Sequence, residues 1–241
     1  MVIVIGGHME EDKKVMAISA HSADFCSRSG GTLIKYVREG AKVRVVWLTH
    51  GETEESVALY EQQPGITVQE VRRVREKEAF AAAEVIGAEG KMFGFGDDPL
   101  RMTPDRIEML AREITDFEPD VILTHWKDEL THPTHRITSQ VAVQAAYLAQ
   151  KSKADIRFFE PHLGAAARVG FVPEYYVNIS DVFEQKIEAL RELAAQPLLV
   201  PMYTICALWR GMENGGKWSG CEYAEGFVRH ARQPDLMQSP L

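Results

Sequence analysis

The sequence predicts an α/β fold: a Rossmann-like, doubly wound and mostly parallel sheet flanked by helices, with an irregular C-terminal extension. Short apolar runs alternate with amphipathic segments over the first two-thirds of the chain. Strands that alternate with helices become parallel neighbours, because parallel strands need crossover connections. A length of 241 residues, 45% of them hydrophobic and 26% charged, is typical of one globular domain that needs no disulfide or metal to hold its core.

We expect residues 10–241 to form that single domain. The segment 1–9, MVIVIGGHM, is open to two interpretations. It is either a tag or disordered N-terminus, as its Gly-Gly-His-Met suggests, or a short first strand. No functional inference rests on it.

Four apolar runs in the first part of the chain predict buried strands at residues 15–20, 43–49, 91–95 and 121–124. Each is followed by a segment with helical spacing of its apolar residues. These helices are predicted at residues 26–39, 68–86, 104–118 and 136–150. The third has the clearest ends, because Thr103 can cap it, Pro104 suits its first position and Pro119 stops it.

The pattern is less regular after residue 155. Strands are predicted at residues 156–159 and 175–179, and a helix at residues 181–195. We expect an irregular stretch from Pro201 that ends in a polar tail. No internal repeat or interdomain linker is evident.

Charge and composition restrict the partners. The formal net charge of −8 argues against a general nucleic-acid binder, which needs a basic surface, but a few local arginines can still bind a small anion. An odd count of three cysteines without a C-x-x-C pair suits a reducing cytoplasm. No apolar run is as long as a membrane span. We therefore expect a cytoplasmic homo-oligomer that acts on a small, anionic molecule and binds neither nucleic acid nor membrane.

Ionisable residues follow all four early strands, where ligands bind in open α/β sheets. His21 and Asp24 follow the first strand, and the pair His132 and His135 follows the fourth. Two imidazoles and one carboxylate are the ligands of many catalytic zinc sites. His21, Asp24 and His135 are therefore candidate Zn²⁺ ligands, although a single histidine after a strand is more often a structural group.

Several motifs together resemble the PIG-L/LmbE superfamily of zinc-dependent N-deacetylases. They are His21-x-x-Asp24, Gly30-Gly31-Thr32, Gly51-Glu52, Arg75-x-x-Glu78-Ala79 and His132-x-x-His135, with an echo in residues 222–227. The resemblance implies that His21, Asp24 and His135 hold zinc. It also implies that His132 polarises a substrate carbonyl or stabilises an oxyanion.

The sequence departs from the deacetylase pattern at two positions. Members of the superfamily have an Asp as general base where this chain has Ala23, and a second Asp where it has Thr134. Loss of a general base costs about a hundredfold to ten-thousandfold in rate. The stretch Ala-His-Ser-Ala-Asp-Phe is instead similar to the 4-oxalomesaconate hydratase branch, which implies addition of water to an unsaturated polycarboxylate.

Glu55 is our candidate for the replacement base and Glu52 is the second choice. The alternative interpretation of both is a solvated acidic loop. Arg101 and Arg136 are candidate partners for a substrate carboxylate because guanidinium matches it bidentately, although Arg136 is equally suited to a helix surface. Arg210 is a third candidate for this contact, on the basis of the resemblance alone.

Three functions remain open at this stage. The first is a zinc-dependent hydratase acting on a small unsaturated polycarboxylate. The second is a zinc-dependent N-deacetylase, which the retained His132 favours. The third is a zinc-binding fold without catalytic activity.

Overall fold

The computed structural model describes residues 13–130, 132–149, 153–161 and 165–231. Within these ranges the strands are β1 (Lys14–Ser19), β2 (Lys42–Trp47), β3 (Glu89–Met92), β4 (Val121–Thr124), β5 (Asp155–Phe159), β6 (Tyr175–Asn178) and β7 (Ala224–Arg229). The α-helices are α1 (Asp24–Arg38), α2 (Val57–Gln62), α3 (Val68–Ile86), α4 (Pro104–Phe117), α5 (Pro133–Leu148), α6 (Phe183–Arg191) and α7 (Leu199–Glu213). Short 3-10 turns occur at Ala166–Val169 and Gly216–Ser219.

The strands form one sheet in the order β3-β2-β1-β4-β5-β7-β6. The first five are mutually parallel, and β7 runs antiparallel to both of its neighbours, β5 and β6. Strand order reverses beside β1, which pairs with β2 on one side and β4 on the other. In open α/β sheets the crevice beyond this switch point is where ligands bind.

Both faces of the sheet are covered, and alternate residues of each strand enter different cores. Val15 and Ala17 of β1 belong to one core, which packs under α1, α3, α6 and α7. Met16 and Ile18 belong to the other, which packs under α4 and α5. The sheet is therefore the rigid middle layer from which the loops of the site extend.

The predicted fold class is confirmed: the sheet is mostly parallel and flanked by helices. Most predicted elements are present with ends displaced by a few residues, and the short α2 is an element that the sequence analysis lacked. The proposed tag or strand at residues 1–9 lies outside the described residues. Gln150, the predicted end of the fourth helix, lies outside them as well.

The stretch from Pro201 is more regular than expected. It contains the 15-residue helix α7 and the strand β7. Pro201 is the third residue of α7, where the backbone N–H that proline lacks has no partner in the helix anyway. Among the described residues no helix, α7 included, is long and apolar enough to cross a membrane.

Candidate metal centre

Three buried side chains and one partly buried one converge beside the switch point of the sheet. His21 follows β1, Asp24 is the first residue of α1, and His135 lies in the first turn of α5. Glu55 comes from the loop after β2. Their ligand atoms all lie within 4.8 Å of one another, so residues far apart in the sequence form one group that can hold a metal ion.

The separations between these atoms are short enough for one metal ion to bind several of them at once. His21 Nδ1 lies 3.1 Å from His135 Nε2 and 3.5 Å from Asp24 Oδ2, and His135 Nε2 lies 3.4 Å from Asp24 Oδ1. Glu55 Oε1 lies 3.3 Å from His21 Nδ1 and 3.7 Å from His135 Nε2. Ligands at about 2.0–2.1 Å from a tetrahedral zinc ion are about 3.3 Å apart. The donor set and its spacing therefore fit Zn²⁺.

The electrostatics of the group favour a cation. Burial lowers the pKa of His135, but Asp24 outweighs it and raises that pKa to about 9. Burial also lowers the pKa of His21, yet Glu55, Asp24 and Glu54 together bring it well above its usual value. The pKa of Asp24 and that of Glu55 are well below their usual values despite burial, because of the histidines beside them. This negative potential, which stabilises positive imidazoles, also attracts a divalent ion.

A second carboxylate supports His135 from its other ring nitrogen. Glu129 Oε2 lies 3.5 Å from His135 Nδ1, and both side chains are fully buried. Metal-binding histidines commonly direct their second nitrogen at a carboxylate, which fixes the tautomer. Arg28 lies between Asp24 and Glu129. Its Nη2 is 3.5 Å from Asp24 Oδ1, and its Nη1 is 3.5 Å from Glu129 Oε2. It thereby couples two of the three carboxylates that lie beside His135.

His125, directly after β4, is a structural group beside the centre. Its Nε2 accepts a hydrogen bond from the backbone N–H of Ala20 at 3.0 Å, and its ring stacks on that of His135. Burial and the neighbouring His135 lower the pKa of His125 to about 3, so its imidazole is neutral. His125, Glu129 and His135 also lie close enough to form a second ligand group, but the Arg28 guanidinium already supplies positive charge to Glu129 there.

Glu54 connects the centre to His132. Its Oε2 lies 3.3 Å from His21 Nε2 and 3.8 Å from His132 Nδ1. The ring of His132 stacks on that of His135 with 4.4 Å between centroids. His132 is partly exposed, whereas His21 and His135 are buried. It therefore lies on the solvent side of the group, where a substrate can reach it.

The other predicted base, Glu52, lies outside this group. Its Oε1 accepts two hydrogen bonds from Arg72, at 2.6 and 2.9 Å. Asp97 Oδ2 accepts hydrogen bonds from the backbone N–H groups of Thr53 and Glu54, at 2.8 and 2.9 Å. Asp97 holds the loop after β2 in the conformation that directs Glu54 and Glu55 to the centre.

The three candidate arginines are in different situations. Arg101 and Arg136 are exposed. Arg210 is buried, and its guanidinium is bidentate to Glu160, at 2.5 and 2.8 Å, and also pairs with Glu213. A substrate carboxylate could contact Arg210 only if that pair opened.

Four residues of the centre were given no role by the sequence analysis: Arg28, Glu54, His125 and Glu129. The sequence position of two of them could have indicated a role at the site: His125 immediately follows a predicted strand, and Arg28 lies one helical turn after Asp24. The sequence positions of Glu54 and Glu129 indicate no such role, because the orientation of both side chains depends on contacts with distant parts of the chain.

A family model described as "PIG-L: GlcNAc-PI de-N-acetylase" matches residues 16–146. The chain is 31% identical to a 4-oxalmesaconate hydratase of Pseudomonas putida, over 89% of this chain and 88% of that protein. It is 30% identical to a diacetylchitobiose deacetylase of Thermococcus kodakarensis, over 89% and 82% of the two chains.

Two solved structures have the same fold. The crystal structure of GalB, the 4-carboxy-2-hydroxymuconate hydratase of Pseudomonas putida, superposes with a TM-score of 0.85 and 30% identity, covering 92% of this chain and 97% of that one. An N,N'-diacetylchitobiose deacetylase of Pyrococcus horikoshii superposes with a TM-score of 0.76 and 22% identity, covering 93% and 85%.

Proposed function

Because this chain belongs to the PIG-L family, we propose that it is a zinc-dependent enzyme and that its reaction is the hydration of a small unsaturated polycarboxylate such as 4-oxalomesaconate. The position of Glu55 carries the proposal. The side chain of Ala23, where deacetylases of the superfamily have their base, is a buried methyl group. Glu55 supplies a carboxylate at the centre from a different loop. The similarity to a hydratase over most of the chain supports the choice of reaction.

His21, Asp24 and His135 would hold the zinc ion, and Glu55 Oε1 lies beside this group, 3.3 Å from His21 Nδ1 and 3.7 Å from His135 Nε2. When bound, the ion supplies a Lewis acid that stabilises negative charge on a substrate oxygen. The ring of His135 is held by Glu129 and the carboxylate of Asp24 by Arg28. These contacts keep the ligands in place before any substrate arrives.

Glu55 acts as the general base that activates water. Gln196 Nε2 donates to its Oε2 at 3.3 Å, and Arg75 Nη2 lies 3.8 Å from the same oxygen. One carboxylate oxygen is therefore held by these two side chains while Oε1 faces the centre. Water adds through its oxygen to one alkene carbon, and its proton passes to Glu55.

His132 donates the proton that the other alkene carbon receives. The π electrons of the double bond form a C–H bond at the other alkene carbon, using a proton delivered by His132. The Glu54 carboxylate lies 3.8 Å from His132 Nδ1 and orients the ring. Transfer of a proton from Glu55 back to His132 through solvent completes the cycle, so water is the only species consumed besides the alkene.

Arg101 and Arg136 are the proposed partners of the substrate carboxylates, since both are exposed and a guanidinium binds a carboxylate bidentately. Arg101→Ala and Arg136→Ala should raise KM more than they lower kcat. Arg210, already paired with Glu160, is the weaker candidate for this contact.

Amide hydrolysis is the second candidate function, and His132 is the observation that favours it. An imidazole beside the centre can stabilise the oxyanion formed when water attacks an N-acetyl carbonyl. Glu55 would again accept the proton of the water. Relatives that are deacetylases of N-acetylated sugars are the reason to test this substrate class.

One comparison separates the two functions. The purified, zinc-loaded protein is assayed with 4-oxalomesaconate by loss of its conjugated ultraviolet absorbance, and in parallel with N-acetylglucosamine conjugates by acetate release. Hydration that disappears in His21→Ala supports the proposal. Zinc-dependent acetate release without hydration would replace it with the deacetylase. Bound zinc without either activity would favour a binding fold instead.

A further inference from the structure

Helix α7 exposes a continuous apolar face. Ile205, Trp209 and Met212 are 61%, 56% and 60% exposed, and Leu198, which caps the helix, is 65% exposed. Trp218, on the 3-10 turn that follows the helix, is fully exposed as well. Scattered exposed apolar residues are normal in soluble proteins, but a group of large ones on one face marks an interaction site.

The helical geometry shows that these residues form one stripe. At 3.6 residues per turn, Leu198, Ile205, Trp209 and Met212 lie within an arc of about 60° on the helix surface. The buried residues of α7, among them Tyr203, Cys206 and Arg210, lie on the side that packs on the sheet and α6. The stripe spans nearly the whole helix, so it presents a straight ridge that a second helix can pack against.

The same face is almost free of charge, in a molecule of net charge −8. The helix contains two charged residues: Arg210 is buried and pairs with both Glu160 and Glu213, and Glu213 accepts a hydrogen bond from Trp209 at the edge of the stripe. Two copies of an acidic protein repel each other over most of their surface, but not where this helix faces outward. A membrane is a poorer match, because an interfacial helix presents Lys and Arg beside its apolar face, whereas Lys217, on the adjoining turn, is paired with Glu222.

We propose that the α7 faces of two copies of this chain pair across a two-fold axis and form a homodimer. An isologous contact uses the same patch on both copies, so a single apolar stripe is sufficient. Four of these five side chains are 56–65% exposed and Trp218 is fully exposed, so together they offer a large part of the ~800 Å² per partner of a standard interface.

The primary test is the molar mass in solution, measured by light scattering coupled to size-exclusion chromatography at about 50 µM. The wild-type chain should have twice the mass of one chain. Ile205→Glu places a charge in the middle of the stripe and should give a monomer. Val57→Glu is the matched control, because Val57 is similarly exposed, at 58%, but lies on α2. It should remain dimeric.

A cross-link tests the location of the interface independently of any loss of folding. The three native cysteines are buried, so a cysteine introduced at Ile205 is the reactive one. Ile205→Cys should give a covalent dimer with a short bismaleimide linker, and Val57→Cys should not. A monomeric wild-type chain, an unchanged mass for Ile205→Glu, or equal cross-linking of the two cysteine variants would each overturn the proposal. So would a monomer that binds phosphatidylcholine vesicles through this face.

Discussion

Each ring nitrogen of His21 faces one of two consecutive glutamates. Glu55 lies beside Nδ1, inside the candidate metal centre, whereas Glu54 lies beside Nε2 and reaches toward His132. Adjacent residues of one loop can therefore act on the two protons of a hydration. The division depends on Asp97, which fixes the backbone at Thr53 and Glu54.

Glu55→Gln should lower kcat by about a hundredfold to ten-thousandfold, because the amide keeps the size of the side chain but cannot accept the proton of water. Zinc content, measured by mass spectrometry of the metal, should stay near the wild-type value, since His21, Asp24 and His135 remain. Glu52→Gln is the matched control in the same loop and should keep most of kcat. Wild-type activity in Glu55→Gln would show that the base lies elsewhere.

Part of the candidate metal centre can be predicted from the sequence. Residue type and position after a strand are sufficient to select His21, Asp24 and His135, which the structure brings together. The sequence alone does not distinguish Glu52 from Glu55, since both are acids of one loop. Arg72 on α3 engages Glu52, and Asp97 orients Glu54 and Glu55, so tertiary contacts make the distinction.

Helix α1, which carries Asp24 and Arg28, is anchored by a buried ion pair. Lys186 Nζ of α6 donates to the Ser27 carbonyl at 2.9 Å and to Glu225 at 2.6 Å. Glu225 of β7 accepts hydrogen bonds from the backbone N–H groups of Gly31 and Thr32. The pair satisfies backbone groups one to two turns after Asp24, so α6 and β7 fix the helix that positions a metal ligand.

Lys186→Met should lower the free energy of unfolding by about 3–5 kcal/mol, because it leaves the Glu225 carboxylate buried without its cation. Urea denaturation measures the change. Lys35→Met is the control, since Lys35 pairs with Asp181 at the surface and such pairs contribute about 0–1 kcal/mol. Equal losses in the two variants would contradict the anchoring role of the buried pair.

The Gly30-Gly31 pair of α1 gives a sharper comparison. A Cβ atom at Gly31 would lie 2.7 Å from Ile179, whereas one at Gly30 would lie 3.5 Å from its nearest neighbours. Gly31→Ala should therefore cost about 1–3 kcal/mol through overpacking. Gly30→Ala should be neutral or stabilise by up to about 1 kcal/mol, since alanine favours a helix. Thermal unfolding of both variants is the measurement, and a Gly30→Ala that is the less stable of the two would refute this account.

Local signals predict the first five strands and their crossover helices well, because hydrophobic periodicity and end signals such as Thr103 and Pro104 report on them directly. They fail for α7 and for the placement of β7. The sequence predicts an irregular stretch from Pro201, yet Pro201 lies in the first turn of α7, and Gly211 of the same helix lies where a Cβ atom would meet the Glu222 carbonyl. Strand β7 pairs antiparallel with β5, which is distant in the sequence, and no local sequence pattern predicts such a pairing.

At the scale of the whole molecule, the acidic charge is concentrated at the centre as well as spread over the surface. Asp24, Glu54, Glu55 and Glu129 lie around two histidines with Arg28 as the buried guanidinium beside them. A divalent cation bound here replaces the protons that these carboxylates otherwise hold on His21 and His135, and only the folded chain brings the ligands together. Fold stability and metal binding should therefore be coupled.

Chelation with a strong zinc ligand should lower Tm, and zinc at about 100 times its Kd should restore about 2.7 kcal/mol of stability, or roughly 5–10 °C for a domain of this size. Differential scanning fluorimetry follows the change. His135→Ala should lose the response, and Glu52→Gln should keep it. A Tm that is the same with and without zinc would show that no such site is coupled to folding.

The pairing of Glu225 with Gly31 and Thr32 also bears on how the chain matures during synthesis. These partners are 194 and 193 residues apart, so α1 leaves the ribosome long before its anchor exists. At about 5–20 residues per second the interval is roughly 10–40 s. During that time the helix that carries Asp24 lacks the contacts that fix it. The nascent chain therefore passes through a period in which strands β1 to β5 can assemble while the metal ligands are still unfixed, and β7 completes both the sheet and the centre in one late event.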